Sequence, residues 1–141
     1  MIQRIQSVFL LLAAISAGLT LKFSFYSGIV KGLNTPNQYY TLNATGNIFL
    51  LILTVAVAVA SAVAIFMYKD RRRQLLVTVS TAIVAACNLI LYFSETEKFE
   101  RGQASMDLTS IIAIGIPVWL VLAARSIYKD EKLVKSVDRL R

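Results

Sequence analysis

Glu95, Glu97 and Glu100 bring three carboxylates within a few residues of one another, the raw material of acid/base catalysis. They alternate with Lys98 and Arg101, however, and a short stretch of mixed charge reads more simply as a solvated link. Histidine is absent, and the one cysteine, Cys87, lies in an apolar run. Thiol redox pairs and Cys/His metal sites are thereby excluded, and neither an enzyme nor a cofactor is expected. A different kind of spacing is more informative: Thr78, Thr81, Ala85, Asn88 and Tyr92 recur at intervals of three and four, on one face of a helix. Asn88 is the one amide within the long apolar stretches. Leaving it unpaired away from water is costly, so a hydroxyl such as Thr54, Ser61 or Thr109 should meet it. Thr78, Thr81 and Asn88 form the candidate intramembrane polar site.

The elements that must position these residues follow from composition. Of the 141 residues 57% are hydrophobic, against ~45 to 50% in soluble domains. Residues 7–21, 48–67, 75–93 and 108–124 contain no Asp, Glu, Lys or Arg, so all the charges fall in the other half of the chain. A hydrocarbon layer ~30 Å thick needs ~17 to 25 helical residues; the second and third stretches supply them directly, and Ile2 and Ile5 extend the first and Met106 the fourth, which gives four membrane spans. The expected fold is an all-α membrane protein in one domain, a four-transmembrane-helix bundle. Its helices run at about 5–21, 48–67, 75–93 and 106–124, with an external loop at 22–47 and a tail at 125–141. The first span also has the basic start and small residues of a secretory signal peptide, so cleavage is a competing reading. No charge sits inside a span, so the usual ion-coupling or proton-relay group is missing.

Orientation follows from the basic residues. Arg4, the group Lys69, Arg71, Arg72 and Arg73, and the basic residues of the tail fall on one side. The other side has only Lys22, Lys31, Lys98 and Arg101, the last two outnumbered by Glu95, Glu97, Glu100 and Asp107, and the positive-inside rule then puts both termini in the cytoplasm. The net charge of +7 is mostly this asymmetry, and no nucleic-acid partner is expected. In the external loop, the alternation over residues 21–25 and the run Tyr39-Tyr40-Thr41-Leu42 flank the turn formers Gly32, Asn34, Pro36 and Asn37. The pattern predicts a small extracytoplasmic β-hairpin between helices 1 and 2. Its aromatic residues Phe23, Phe25, Tyr26, Tyr39 and Tyr40 would join an interfacial belt. Close helix contacts are expected at Ala14 and Gly18, at Ala56, Ala60 and Ala64, and along the Thr78 to Tyr92 stripe. Pro117 should kink the fourth helix.

Beyond the fourth span, Leu133, Val134, Val137 and Leu140 form an apolar stripe while Lys129, Lys132, Lys135 and Arg139 surround it. This is an amphipathic C-terminal helical extension. A helix running from residue 108 to about 139 would reach ~48 Å, longer than the bilayer. Lipid anchoring accounts for the basic groups, but Asp130, Glu131 and Asp138 would weaken it, which leaves docking to a protein equally open.

The start Met1-Ile2-Gln3-Arg4-Ile5-Gln6 and the end from Lys129 to Arg141 resemble a bacterial family of small four-helix membrane proteins of unknown function. The resemblance spans the chain and implies a bacterial inner membrane and a retained first helix. It brings no substrate, cofactor or catalytic residue. Gln3, Arg4, Gln6, Asp130, Glu131, Asp138 and Arg139 are the candidate partner-docking residues on the cytoplasmic rim. The expected function is a non-enzymatic scaffold or accessory subunit among membrane lipids, with a protein partner or a second copy bound at that rim. The alternative is a small-molecule channel or carrier, oligomeric, using Thr78, Thr81 and Asn88.

Overall fold

A computed structural model describes residues 2–30 and 39–138. Four helices dominate it: α1 (Ile2–Thr20), α2 (Ile48–Phe66), α3 (Arg71–Thr96) and α4 (Ser110–Asp138). Strands β1 (Tyr26–Val30) and β2 (Tyr39–Leu42) lie between α1 and α2, and β3 (Phe99–Met106) lies between α3 and α4. The helices pack in a ring, α1 and α3 each against both α2 and α4. α2, α3 and the Ser110–Val134 part of α4 are long and apolar enough to cross a membrane, and α1 has a shorter apolar stretch, Ile5–Thr20.

Every helix turns the same kind of stripe inward. Buried positions are Gln6, Leu10, Ala13, Ala17 and Thr20 in α1, and Leu50, Thr54, Val57, Ser61 and Ala64 in α2. α3 buries Gln74, Thr78, Thr81, Ala85, Asn88 and Tyr92, and α4 buries Ala113, Ile116, Leu120, Ala123, Ile127 and Asp130. Steps of three and four alternate in most of these rows, the 3.5-residue period of helices that supercoil left-handedly around a shared seam. Small residues at the centre of the seam let backbones approach. Outward positions carry large apolar side chains instead, among them Leu11, Ile52, Val59, Ile83, Ile90 and Val121.

The contact faces of α1 and α2 differ from expectation. Ala13 and Ala17 are buried in α1 where Ala14 and Gly18 were expected, and in α2 Ala56 is exposed while Val57 and Ser61 turn inward. A strict four-residue interval drifts around a helix, whereas alternating steps stay on one face. That face also takes Thr54 and Ser61, both fully buried. Four buried hydroxyls bond to carbonyls of their own helices: Thr20 to Ala17, Ser61 to Val57, Thr78 to Gln74 and Thr81 to Val77, all at 2.7 to 2.8 Å. Such back-bonding hides a polar atom without needing a partner helix.

Helix boundaries have local causes. The Asn47 side chain accepts the Phe49 N–H at 2.9 Å and starts α2. The Asp70 carboxylate accepts the Arg73 N–H at 3.3 Å and pairs with its guanidinium at 2.9 Å. This cap offsets three arginines placed at the positive end of the α3 dipole, where cations are unfavourable. Pro117 lies within α4, which continues beyond it. It leaves the carbonyl of Ala113 without its usual helical donor.

The strand prediction needs two corrections. Residues 21–25 do not form a strand, because the last turn of α1 runs on through Phe23 N–H to Leu19 O at 2.9 Å. Phe25 then drops into the helical core, 4.8 Å from the ring of Tyr92 and edge-on to Phe93 at 5.6 Å. It is therefore a core residue and not part of an exposed belt. β1 begins one residue later. It pairs antiparallel with β2, as a hairpin should, and on its other edge with β3, giving the order β2-β1-β3. The link after Glu97 is thus partly strand. The turn formers 32–37 lie outside the described residues.

Candidate functional site

Three polar groupings punctuate the helical core, one at each end and one near the middle. At the end carrying the α2–α3 turn, Gln74 is only 2% exposed and its amide donates to the carbonyl of Ala64 at 2.9 Å. Ala64 is in the last turn of α2, where its carbonyl also accepts the Met67 N–H at 3.3 Å, so Gln74 ties the start of α3 to the end of α2. Gln6 of α1 donates to the carbonyl of Ser126 in α4 at 3.2 Å and is 3% exposed. Asp130 is 8% exposed and faces Arg71 across the α3–α4 seam at 3.4 Å. Together these contacts clasp all four helices at one end.

The expected docking residues therefore divide. Gln6 and Asp130 point inward and are occupied by contacts within the chain. Glu131 is half-buried and also has a partner. Gln3 and Arg4 lie in α1 and Asp138 closes α4, but their side chains, and the whole of Arg139, fall outside the described residues. Arg71 and Gln74 are the rim residues the sequence reading missed. A signal for Gln74 was present: it sits four residues before Thr78 on the stripe already identified.

Near the middle, Asn88 donates from Nδ2 to Thr54 Oγ1 at 3.0 Å, the hydroxyl partner expected of it coming from α2. Thr78 and Thr81 face the same interior but spend their hydroxyl protons on α3 itself. Beside Asn88 lies a cavity of about 10 Å³, bordered by Ala17, Thr54, Val57, Tyr92, Ala113 and Ile116. Room of that size suits a single water molecule. Asn88 Oδ1 has no hydrogen-bond partner there among the described residues, and the Tyr92 hydroxyl faces those of Thr54 and Thr20. The Asn88–Thr54 bond ties α2 to α3 at this level, and the grouping offers no passage for a solute.

At the sheet end, Asp107 accepts hydrogen bonds from Ser24 and, at 2.7 Å, from Ser27. Its own N–H donates to the carbonyl of Phe25 at 3.2 Å, and Thr109 bonds to the carbonyl of Ser24. The start of α4 is thus fastened to the segment leaving α1. Glu95 is held by Asn47 at 2.9 Å and by Lys98 at 2.7 Å. This carboxylate is a brace between α3 and the start of α2. Among the described residues no three His, Cys, Asp or Glu side chains converge as a metal site would require.

No curated protein and no solved structure matches this sequence. The sequence model of one family does match, over residues 2–140, and its description is a domain of unknown function, DUF4293. That match takes in α1 to α4 and the sheet between them, so the chain belongs to the DUF4293 family.

Proposed function

We propose that this chain is a non-enzymatic integral membrane protein acting as a scaffold or accessory subunit. It crosses a bacterial inner membrane four times as a helix bundle, both termini are cytoplasmic, and α4 carries its docking element. One observation carries the membrane reading: the interior holds Thr54, Ser61, Thr78, Thr81 and Asn88, while Ile52, Val59, Ile83, Ile90 and Val118 are exposed. Water would favour the reverse, and hydrocarbon favours this arrangement. α1 fits as the fourth span. Its 19 residues reach ~28 Å, and Val8, Leu11, Ile15 and Leu19 face outward from a seam shared with α2 and α4.

Docking then falls to the part of α4 that leaves the core. With Gln6 and Asp130 engaged internally, the surface presented to a partner is Lys129, Leu133 and Val134, all exposed. Apolar and basic groups meet there, which suits a protein carrying an apolar groove rimmed by carboxylates. A channel or carrier along Thr78, Thr81 and Asn88 draws no support from the closed core around them.

Two measurements test the reading. Reporter fusions after residue 141 and within the α2–α3 turn should report the cytoplasm, and a fusion near residue 43 the opposite side. Affinity capture from native membranes should lose its partner when residues 132–141 are removed. Undiminished capture without the tail defeats the docking assignment, and extraction into detergent-free buffer defeats the membrane one.

A further inference from the structure

A groove of about 600 Å³ runs down the outer face of the helices between α3 and α4. Its walls include Leu75, Val79, Ile83 and Ala86 on one side and Val121 and Ala124 on the other. From Leu75 to Ala86 it extends ~16 Å along α3, close to one leaflet of a hydrocarbon core ~30 Å thick. Arg125 and Tyr128 stand at the end nearest the α2–α3 turn. Arg125 is exposed and has no carboxylate partner among the described residues. The nearby acids are already committed: Asp130 faces Arg71, and Glu131 also has a partner. Helical spacing adds Arg72, one turn before Leu75 on the same face of α3, and Lys132, two turns beyond Arg125 on α4; both are exposed.

From this juxtaposition we infer that the α3–α4 groove is a binding site for one anionic glycerophospholipid of the cytoplasmic leaflet. An acyl chain lies between Leu75 and Ala86, and the phosphodiester meets Arg125, with Arg72 and Lys132 around it. The inference rests on the membrane-spanning reading above and adds a ligand to it. Charge selects the occupant. A second copy of the chain, docked symmetrically, would bring the same arginines and lysines against each other at this level, which is unfavourable. A phosphate instead accepts two parallel hydrogen bonds from a guanidinium, and a tyrosine suits the boundary between headgroup and hydrocarbon.

The test uses the full chain, in nanodiscs of phosphatidylglycerol mixed with phosphatidylcholine, released into native mass spectrometry. The wild type should retain one phosphatidylglycerol in preference to phosphatidylcholine. Arg125→Gln, at an exposed position, should lower that preference about fivefold, the worth of one basic side chain at an anionic surface. Ala86→Leu should narrow the groove and reduce retention of both lipids, since it blocks the chain and not the phosphate. Equal retention of the two lipids by the wild type overturns the inference, as does an unchanged preference in Arg125→Gln. So does efficient disulfide dimerisation of Val121→Cys in a Cys87→Ala background, which would assign the groove to a second copy. In each of those cases the protein still requires a bilayer or detergent. Only recovery from plain buffer would remove the membrane reading itself.

Discussion

Thr54 and Asn88 show how much one hydroxyl can matter inside the helical core. Thr54→Val keeps the shape of the side chain but removes the acceptor for Asn88 Nδ2, leaving a second buried atom of that amide unpaired beside Oδ1. Between membrane helices such bonds are worth about 0.6 kcal/mol on average and up to about 1.7. A double-mutant cycle of Thr54→Val with Asn88→Leu, followed by sodium dodecyl sulfate titration in mild detergent, should give a coupling in that range. A coupling of zero would show that the two side chains do not meet. Gly115 offers a second residue-level test. A side chain there would begin 3.2 Å from the indole nitrogen of Trp119, whose ring stacks 6.2 Å from Phe9. Gly115→Leu should push the indole off Phe9 at a cost of about 1 to 3 kcal/mol. Trp119 is the single tryptophan, so its emission should shift in the variant, whereas an unmoved spectrum would show that the ring tolerates the crowding.

Among the elements, α4 depends most on its neighbours. Its 29 residues extend ~43 Å, and the clasp of Asp130 with Arg71 marks where it leaves the others. Asp130→Ala should loosen the last two turns by about 1 kcal/mol, a modest value because Arg71 is partly exposed. Amide exchange over residues 131–136 should then rise about fivefold while residues 112–125 stay protected; equal protection in both proteins would leave the ion pair without a role. The inward stripe of α3 was legible in the sequence because Thr78, Thr81, Ala85, Asn88 and Tyr92 are polar or small residues among large apolar ones. Equivalent rows in α1 and α4 were legible in principle: Gln6 falls on the row of Ala13 and Ala17, and Asp130 on that of Ala123 and Ile127. Charge and polarity near a helix end suggest solvent instead, which is why the sequence points both residues to the surface. β3 could not be read at all, since Phe99 to Met106 lacks alternation and takes its conformation from the free edge of β1. Phe25 was misplaced because an aromatic residue next to a span signals an interface, and nothing local reveals the hole beside Tyr92 that it fills.

For the molecule as a whole, the membrane-spanning reading proposed above makes insertion of this apolar exterior the controlling step. Val59 lies at the middle of α2 and is 56% exposed, so Val59→Arg would set a charge in hydrocarbon. The cost is about 2.5 to 3.5 kcal/mol, enough to cut translocon-mediated insertion of α2 several-fold in a glycosylation-mapping assay. Unaltered insertion would argue that this face meets water or protein instead of lipid. The three-stranded sheet bears on assembly in another way. β1 is its middle strand, yet it is made before either flank: β2 follows soon after, and β3 only once two more helices have been synthesised. While the nascent chain is short, one edge of that strand stays open, and Ser24 and Ser27 wait for an aspartate that has not yet left the ribosome. The last helix is thus the latch for the first, and a chain stalled before Met106 is left ajar at that end.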